Sequence, residues 1–160
     1  MRKVKIYLET TIFNYYFDTE RDAHAPTVKL FQEIKDGRFE AFTSAYVVEE
    51  LAKTRDIERR KNMLNLISKY EINLLDTNDV AEQLADEYVK EGIIPTKYIM
   101  DGVHIALASI KEMDFIISLN FAHINKAKTK IFVPHINKLR GFDHNILIFS
   151  PMEVIDDENK

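Results

Sequence analysis

The feature that most constrains this chain is an alternation. Short β-prone apolar runs are separated by longer stretches whose apolar residues recur three and four apart. The first run, residues 4–8, stops at the polar group Glu9-Thr10-Thr11. A helix is predicted over 26–36, with Pro26 in its first turn, Val28, Phe31 and Ile34 at helical spacing, and Gly37 as a left-handed stop. A strand at 39–43 precedes a helix that Ser44 can cap, with apolar Ala45, Val48, Leu51 and Ala52 and the acids Glu49 and Glu50. Asp56 caps a further helical stretch carrying Ile57, Met63, Leu64, Ile67 and Tyr70, and a strand at 72–75 follows. Asn78 opens another helix, which ends at Gly92.

Residues 93–97 contain Pro95 and read as a loop. The stretch 99–113 is a broadly apolar, hence buried, helix with Asp101 in its first turn. A short strand at 115–118, a polar and basic stretch at 120–130, a short helix at 133–139 and a last strand at 146–149 complete the order, before an acidic tail beyond Pro151. Strands separated by helices predict an α/β fold in which a parallel sheet is covered on both faces. No linker divides the chain, so one domain over 1–160 is expected. At 160 residues and 46% hydrophobic, such a chain can bury about 68–70% of its unfolded surface. No run of 18 apolar residues occurs and residues 1–8 lack a signal-peptide core, so a cytoplasmic protein without a membrane partner is expected.

Several chemistries are excluded. There is no cysteine, hence no thiol nucleophile, zinc ribbon or iron–sulfur cluster. The four glycines, at 37, 92, 102 and 141, are scattered and build no phosphate loop or dinucleotide fingerprint. No serine occupies a nucleophile elbow, and the five histidines never pair at the four-residue spacing that puts two imidazoles on one helical face. Twenty-two Lys and Arg against 26 Asp and Glu give a net charge of −4, so any contact with nucleic acid must be local.

Acid placement is what remains. In open α/β sheets ligands bind beyond the carboxyl ends of the strands, where Glu9 and Asn120 stand. Asp101 serves as a helix cap or as a ligand, because a lone carboxylate in an apolar helix needs a partner. Glu50 belongs to a solvated face or to a site, and Asn120 is a turn residue or an oxygen ligand. Carboxylates from different elements suit Mg²⁺ bound beside a phosphate, and phosphodiester hydrolysis is the natural use of such a set.

Four blocks carry a resemblance: Ile6-Tyr7-Leu8-Glu9-Thr10-Thr11, Ser44-Ala45-Tyr46-Val47-Val48-Glu49-Glu50-Leu51, Asp101-Gly102-Val103-His104-Ile105-Ala106-Leu107-Ala108 and Ser118-Leu119-Asn120-Phe121-Ala122-His123-Ile124. In order and spacing they resemble PIN-domain proteins over essentially the whole chain, through Ser150-Pro151-Met152-Glu153-Val154. The resemblance implies a PIN-like three-layer α/β/α fold with a central parallel sheet of about five strands, strand one lying beside strand four. It also implies a metal-dependent endoribonuclease, a hydrolase of RNA phosphodiester bonds, many members being toxins of toxin–antitoxin pairs.

Carried over by position, the family's four acids fall on Glu9, Glu50, Asp101 and Asn120. Glu9 replaces the usual Asp and is one methylene longer, and Asn120 lacks the charge. The resemblance implies that Glu9, Glu50 and Asp101 hold Mg²⁺ (or Mn²⁺), that Asn120 orients a water or an outer ligand, and that Thr10 or Thr11 contacts the substrate near the metal. His104 would pack beside the site. For RNA, two basic stretches are candidates: Lys53, Arg55, Arg59, Arg60 and Lys61, and Lys126, Lys128, Lys130, Lys138 and Arg140. Tyr15 and Tyr16 are candidate base-stacking rings. An antitoxin partner and a homodimer through helices near 56–70 and 80–90 follow by analogy. The alternative is a catalytically degenerate PIN-like module that binds RNA or protein.

Overall fold

The computed structural model describes residues 2–156, so the last four residues of the acidic tail lie outside it. Five strands, β1 (Val4–Leu8), β2 (Phe39–Ser44), β3 (Asn73–Leu75), β4 (Phe115–Ile117) and β5 (Leu147–Phe149), form one parallel sheet in the order β3-β2-β1-β4-β5. The central strand pairs Tyr7 with Phe42 on one side and with Ile116 on the other. Ile6, Tyr7 and Leu8 alternate between the two faces and none is exposed, so helices must cover both.

The helices α1 (Thr10–Tyr15), α2 (His24–Lys35), α3 (Ala45–Ala52) and α4 (Ile57–Lys69) pack among themselves. A second group comprises α5 (Asp79–Lys90), α6 (Ile99–Ile110) and α7 (Ala127–Leu139), and the short α8 (Pro151–Val154) rests on α2. The three-layer α/β/α arrangement implied by the sequence is therefore present, with β1 beside β4. The α6 helix is apolar nearly all round and is fixed by buried polar contacts. Tyr88 of α5 donates to Asn137 of α7, whose amide donates to Ser109 of α6 at 3.0 Å. No described helix is long and apolar enough to cross a membrane.

Local signals in the sequence are realised where a side chain completes a backbone bond. Ser44, Asp56 and Asn78 accept from Val47, Arg59 and Ala81 N–H at 3.3, 3.1 and 2.9 Å. Gly37 and Gly92 take φ of 86° and 73°, the left-handed stop that ends each preceding helix. Three segments differ from expectation. The group Glu9-Thr10-Thr11 opens the helix α1, with Glu9 itself as the N-cap. The α7 helix begins at Ala127, not Val133, because its buried stripe of Thr129, Val133, Ile136 and Asn137 is half polar and invisible to an apolar-period reading. Pro134 stands inside α7 and forgoes the bond to Lys130. The tail beyond Ser150 starts as α8, where the Glu153 carboxylate accepts from both the N–H and the hydroxyl of Ser150.

Candidate active site

The crevice opens where β1 and β4 lie side by side, at the carboxyl end of the sheet and at its topological switch point. Glu9 N–H donates to Ile117 O at 3.1 Å and Ser118 N–H to Phe149 O at 2.9 Å, so both residues continue the ladder. The Glu9 carboxylate is buried, at 3% exposure, and its Oε1 accepts three bonds. They come from Thr11 N at 3.2 Å, Thr11 Oγ1 at 2.5 Å and Ser118 Oγ at 2.7 Å. Each hydroxyl is used twice: Thr11 Oγ1 accepts from Leu119 N–H at 2.8 Å and Ser118 Oγ from Asn120 N–H at 2.9 Å. Glu9 is thus the hub of a clamp that shapes the turn carrying Asn120. Burial raises the Glu9 pKa, and the opposing pull of His104, Thr11 and Ser118 does not cancel it.

Glu50, on α3, meets a different environment. Its Oε1 lies 2.5 Å from Nε2 of His104, an α6 residue with no exposed surface one turn beyond Asp101. On the other ring nitrogen, Nδ1 lies 2.7 Å from the Tyr7 hydroxyl, which in turn is 2.7 Å from Ser44 Oγ. A buried chain of polar groups therefore runs from the end of β2 through β1 and α6 to α3. Burial works against ionisation of Glu50, but bonding and charge from His104, helped by Thr10 and Lys53, hold its pKa below the usual value. For His104, burial lowers the pKa while Glu50, Glu9 and Asp101 raise it, and the carboxylates prevail. Asp101 is raised by burial, only partly offset by Asn120, His104 and His123.

The structure brings Glu9, Glu50, Asp101 and Asn120 to one crevice and arranges the three acids around His104. Among the described residues, no three His, Asp or Glu side chains stand close enough to hold a metal ion as they are. The physical reason is visible in the two glutamates, one drawn onto Thr11 and Ser118 and the other onto His104. Oε2 of neither glutamate accepts any of these bonds. Thr10 Oγ1 is buried without a partner at hydrogen-bonding distance, near enough to Glu50 to favour its ionised form. A donor set of three carboxylates, one amide and one hydroxyl, all oxygen, fits a hard divalent cation such as Mg²⁺ or Mn²⁺.

The remaining candidates divide. Lys126, Lys128 and Lys130 are exposed at the start of α7, and the turn before them is tied to that helix by Thr129 Oγ1, which donates to His123 O at 2.5 Å. In the other basic stretch, Arg59 is committed to Asp18 at 2.8 Å and to Asn14 O at 2.9 Å, and Arg60 reaches Thr54 O. Tyr16 is half-buried in a ring cluster with Phe17, Phe31 and Tyr70, its hydroxyl 2.7 Å from that of Tyr70. Sequence reasoning missed Ser118 and Tyr7 as site residues. The signal available for Tyr7 was a polar tip in an otherwise apolar central strand, which must find a partner when buried. Ser118 ends a strand opposite Glu9 and carried no signal until the pairing of β1 with β4 was known.

No protein-family model matches the chain, and no curated protein does. Among solved structures, the chain is similar to one in the crystal structure of VapBC2 from Rickettsia felis bound to a DNA fragment from their promoter, with a TM-score of 0.56 and 15% identity. The likeness covers 91% of this chain and 98% of that one. It is a likeness of fold, and the fold is PIN-like.

Proposed function

We propose that this PIN-like chain is a metal-dependent endoribonuclease, with Glu9, Glu50 and Asp101 holding Mg²⁺ or Mn²⁺ and Asn120 orienting the attacking water or an outer ligand. The observation that carries this reading is the meeting of three carboxylates from three different elements at the switch point of the sheet, around one buried imidazole. A cation bound there supplies the charge that makes water nucleophilic at neutral pH and stabilises the leaving oxygen of a phosphodiester. The protein's own part is to position donors. His104 and Tyr7 fix Glu50, the clamp on Glu9 fixes the turn of Asn120, and Asp101 faces both from the first turn of α6. Lys126, Lys128 and Lys130 offset the acids for an approaching phosphate backbone, and Thr10 contributes a hydroxyl at the start of α1.

The test is cleavage of a mixed structured and single-stranded RNA pool by purified protein with Mg²⁺, with Mn²⁺ or with chelator, alongside Asp101→Asn. Chelator-sensitive cleavage that falls by two orders of magnitude or more in Asp101→Asn is expected. Equal traces in both proteins would sink the assignment. Partners follow from the same reading: the sequence resemblance to toxins and the solved neighbour, a VapBC2 assembly on promoter DNA, support an antitoxin protein whose segment covers the crevice. A small open reading frame immediately upstream is the cheap observation for it. A homodimer through α4 and α5 is part of the proposal, read by the mass of the purified protein in solution.

One specific observation favours a second reading, a degenerate module that binds without cleaving. Glu9 and Glu50 are both already engaged by the protein's own donors. A native-state ligand raises the melting temperature, so Mg²⁺ titration with no rise in the intact chain would favour that module.

A further inference from the structure

The sheet ends on β5, and the pairing leaves one side of that strand unused. Leu147 N–H donates to Asp114 O at 3.2 Å and Ser118 N–H donates to Phe149 O at 2.9 Å, so the backbone groups of residues 147 and 149 face β4. These groups alternate along a strand, and those of Ile148 therefore point away from the sheet, where no sixth strand stands among the described residues. Ile148 lines a groove of about 230 Å³ between β5 and α7, with Lys130 and Pro134 on the α7 wall. Pro134 has no N–H, so the Lys130 carbonyl is left without its helical donor in the same groove. Past Pro134 and Asn145 the groove runs into a second hollow of about 270 Å³, lined by His135, Lys138 and His144 and by one acid, Asp143. Residues 126–140 hold four lysines and one arginine and no acid, in a chain of net charge −4. Arg140 is taken by Glu87, whereas Lys126, Lys128, Lys130 and Lys138 pair with no acid among the described residues. Apolar surface flanks the groove, Leu147 being 42% and Ile131 66% exposed.

We infer that an extended segment of a partner protein, acidic and apolar at alternate positions, lies in this groove and adds a sixth strand to β5. The inference rests on the fold and not on the ribonuclease reading. An unused strand edge facing an unused helix carbonyl calls for N–H donors and C=O acceptors in alternation, and a polypeptide backbone brings both. A phosphate backbone brings acceptors and cannot answer a carbonyl. Side chains of an added strand point by turns to the two faces of the sheet. Phe149 shares a cavity with Val154 of α8, so the face of Leu147 and Phe149 is the one turned away from α7. Apolar residues of the segment cover that row, and its acids meet Lys130 and Lys138 on the α7 side. A second copy of this chain is the wrong occupant, because pairing two β5 edges brings the same unpaired lysines together.

The probe is a synthetic labelled peptide of about eight residues, a common strand length, alternating valine and glutamate. Its binding to the intact protein is read by fluorescence anisotropy, and the site by amide exchange. Binding is expected, with exchange at Ile148 N–H slowed about tenfold or more at saturation. The same peptide N-methylated throughout keeps its side chains but loses every N–H, and should bind at least about tenfold more weakly. A valine–lysine peptide should fail likewise. Leu147→Asp and the double variant Lys130→Glu, Lys138→Glu should each weaken binding by about tenfold. All three positions are exposed, so an unchanged melting temperature will show that the variants fold. No binding at millimolar peptide, full binding by the N-methylated or the lysine peptide, or unslowed exchange at Ile148 would each overturn the proposal. So would single-stranded RNA that slows Ile148 exchange as the peptide does. Slowing that grows with protein concentration alone would give the edge to a second copy and overturn the partner.

Discussion

Glu9 and Glu50 are the same side chain brought to the same crevice from the end of β1 and from α3, and their ionisation is shifted in opposite directions. Glu9 accepts only from neutral donors, two hydroxyls and an amide, and burial dominates it. Glu50 is about one third exposed and faces an imidazole that three carboxylates favour in its charged form. The comparison teaches that hydrogen bonds from neutral groups orient a buried carboxylate without making it a comfortable charge, whereas a facing cation does both. Glu9 is therefore the structural acid of the pair, holding the turn of Asn120, and Glu50 the electrostatic one. From just past β1, the Glu9 side chain spans to Ser118, the residue after β4.

The most severe way to break this difference is to remove the imidazole. His104→Ala takes away the imidazole facing Glu50 and one of the two partners of the buried Tyr7 hydroxyl, and opens a hole between α6 and β1. A loss of about 3–5 kcal/mol in unfolding free energy is expected, measured by denaturant titration. Combining it with Glu50→Gln should recover part of that loss, a coupling of about 1–3 kcal/mol, because the stranded charge is gone. Glu9→Gln should couple more weakly with His104→Ala, because His104 acts on Glu9 through charge alone, without a hydrogen bond. If both glutamines couple equally, the imidazole belongs to the whole acid set and not to Glu50.

A smaller effect is expected at the Glu9 clamp. Ser118→Ala leaves Asn120 N–H without its acceptor and Glu9 with one donor fewer, and Thr11→Val does the same to Leu119 N–H. Each should cost about 1–3 kcal/mol, the range for a buried group left unpaired. Amide exchange is the sharper readout, because protection should fall at residues 119 and 120 while that of α3 stays unchanged. Loss of protection on α3 as well would mean that the two glutamates are not independent.

The strands, their order of appearance and five of the helices were legible, most plainly where apolar periodicity and capping residues agree at Ser44, Asp56 and Asn78. The α1 helix was not legible, since a glutamate is a poor cap by propensity and becomes one here only through its bond to Thr11 N–H. The acids were found by their places at strand and helix ends. Their partners were not, because Tyr7, Ser44 and Ser118 are recruited across the sheet at separations of 37 to 109 residues, and nothing local in a sequence records such a meeting. His104 shows the limit well. Its neighbours along the chain are all apolar, which suggests packing, and only the arrival of Glu50 from α3 makes it a charge partner.

The smallest expected effect is also the one that compares the two glutamates most directly. A carboxyl whose folded pKa is raised stabilises the fold fully below its ordinary value of 4.5 and loses that contribution as pH climbs through the raised value, which is the case of Glu9. Glu50, lowered, contributes above 4.5 and loses its contribution as pH falls through its folded value. His104, raised, contributes fully below its ordinary 6.5 and less as pH rises beyond its folded value. The Glu50–His104 pair is thus worth most in the window between the ordinary values of the two groups, 4.5 and 6.5, and the ionised Glu9 costs most above that lower limit. Melting curves of Glu9→Gln and Glu50→Gln against wild type across this range should therefore diverge with opposite sign. Glu9→Gln should gain on wild type as pH rises from 4.5, and Glu50→Gln should fall below it in the middle of the window and converge toward it at both ends. Difference curves of the same sign would mean that burial governs both glutamates alike and that His104 does not carry the charge facing Glu50.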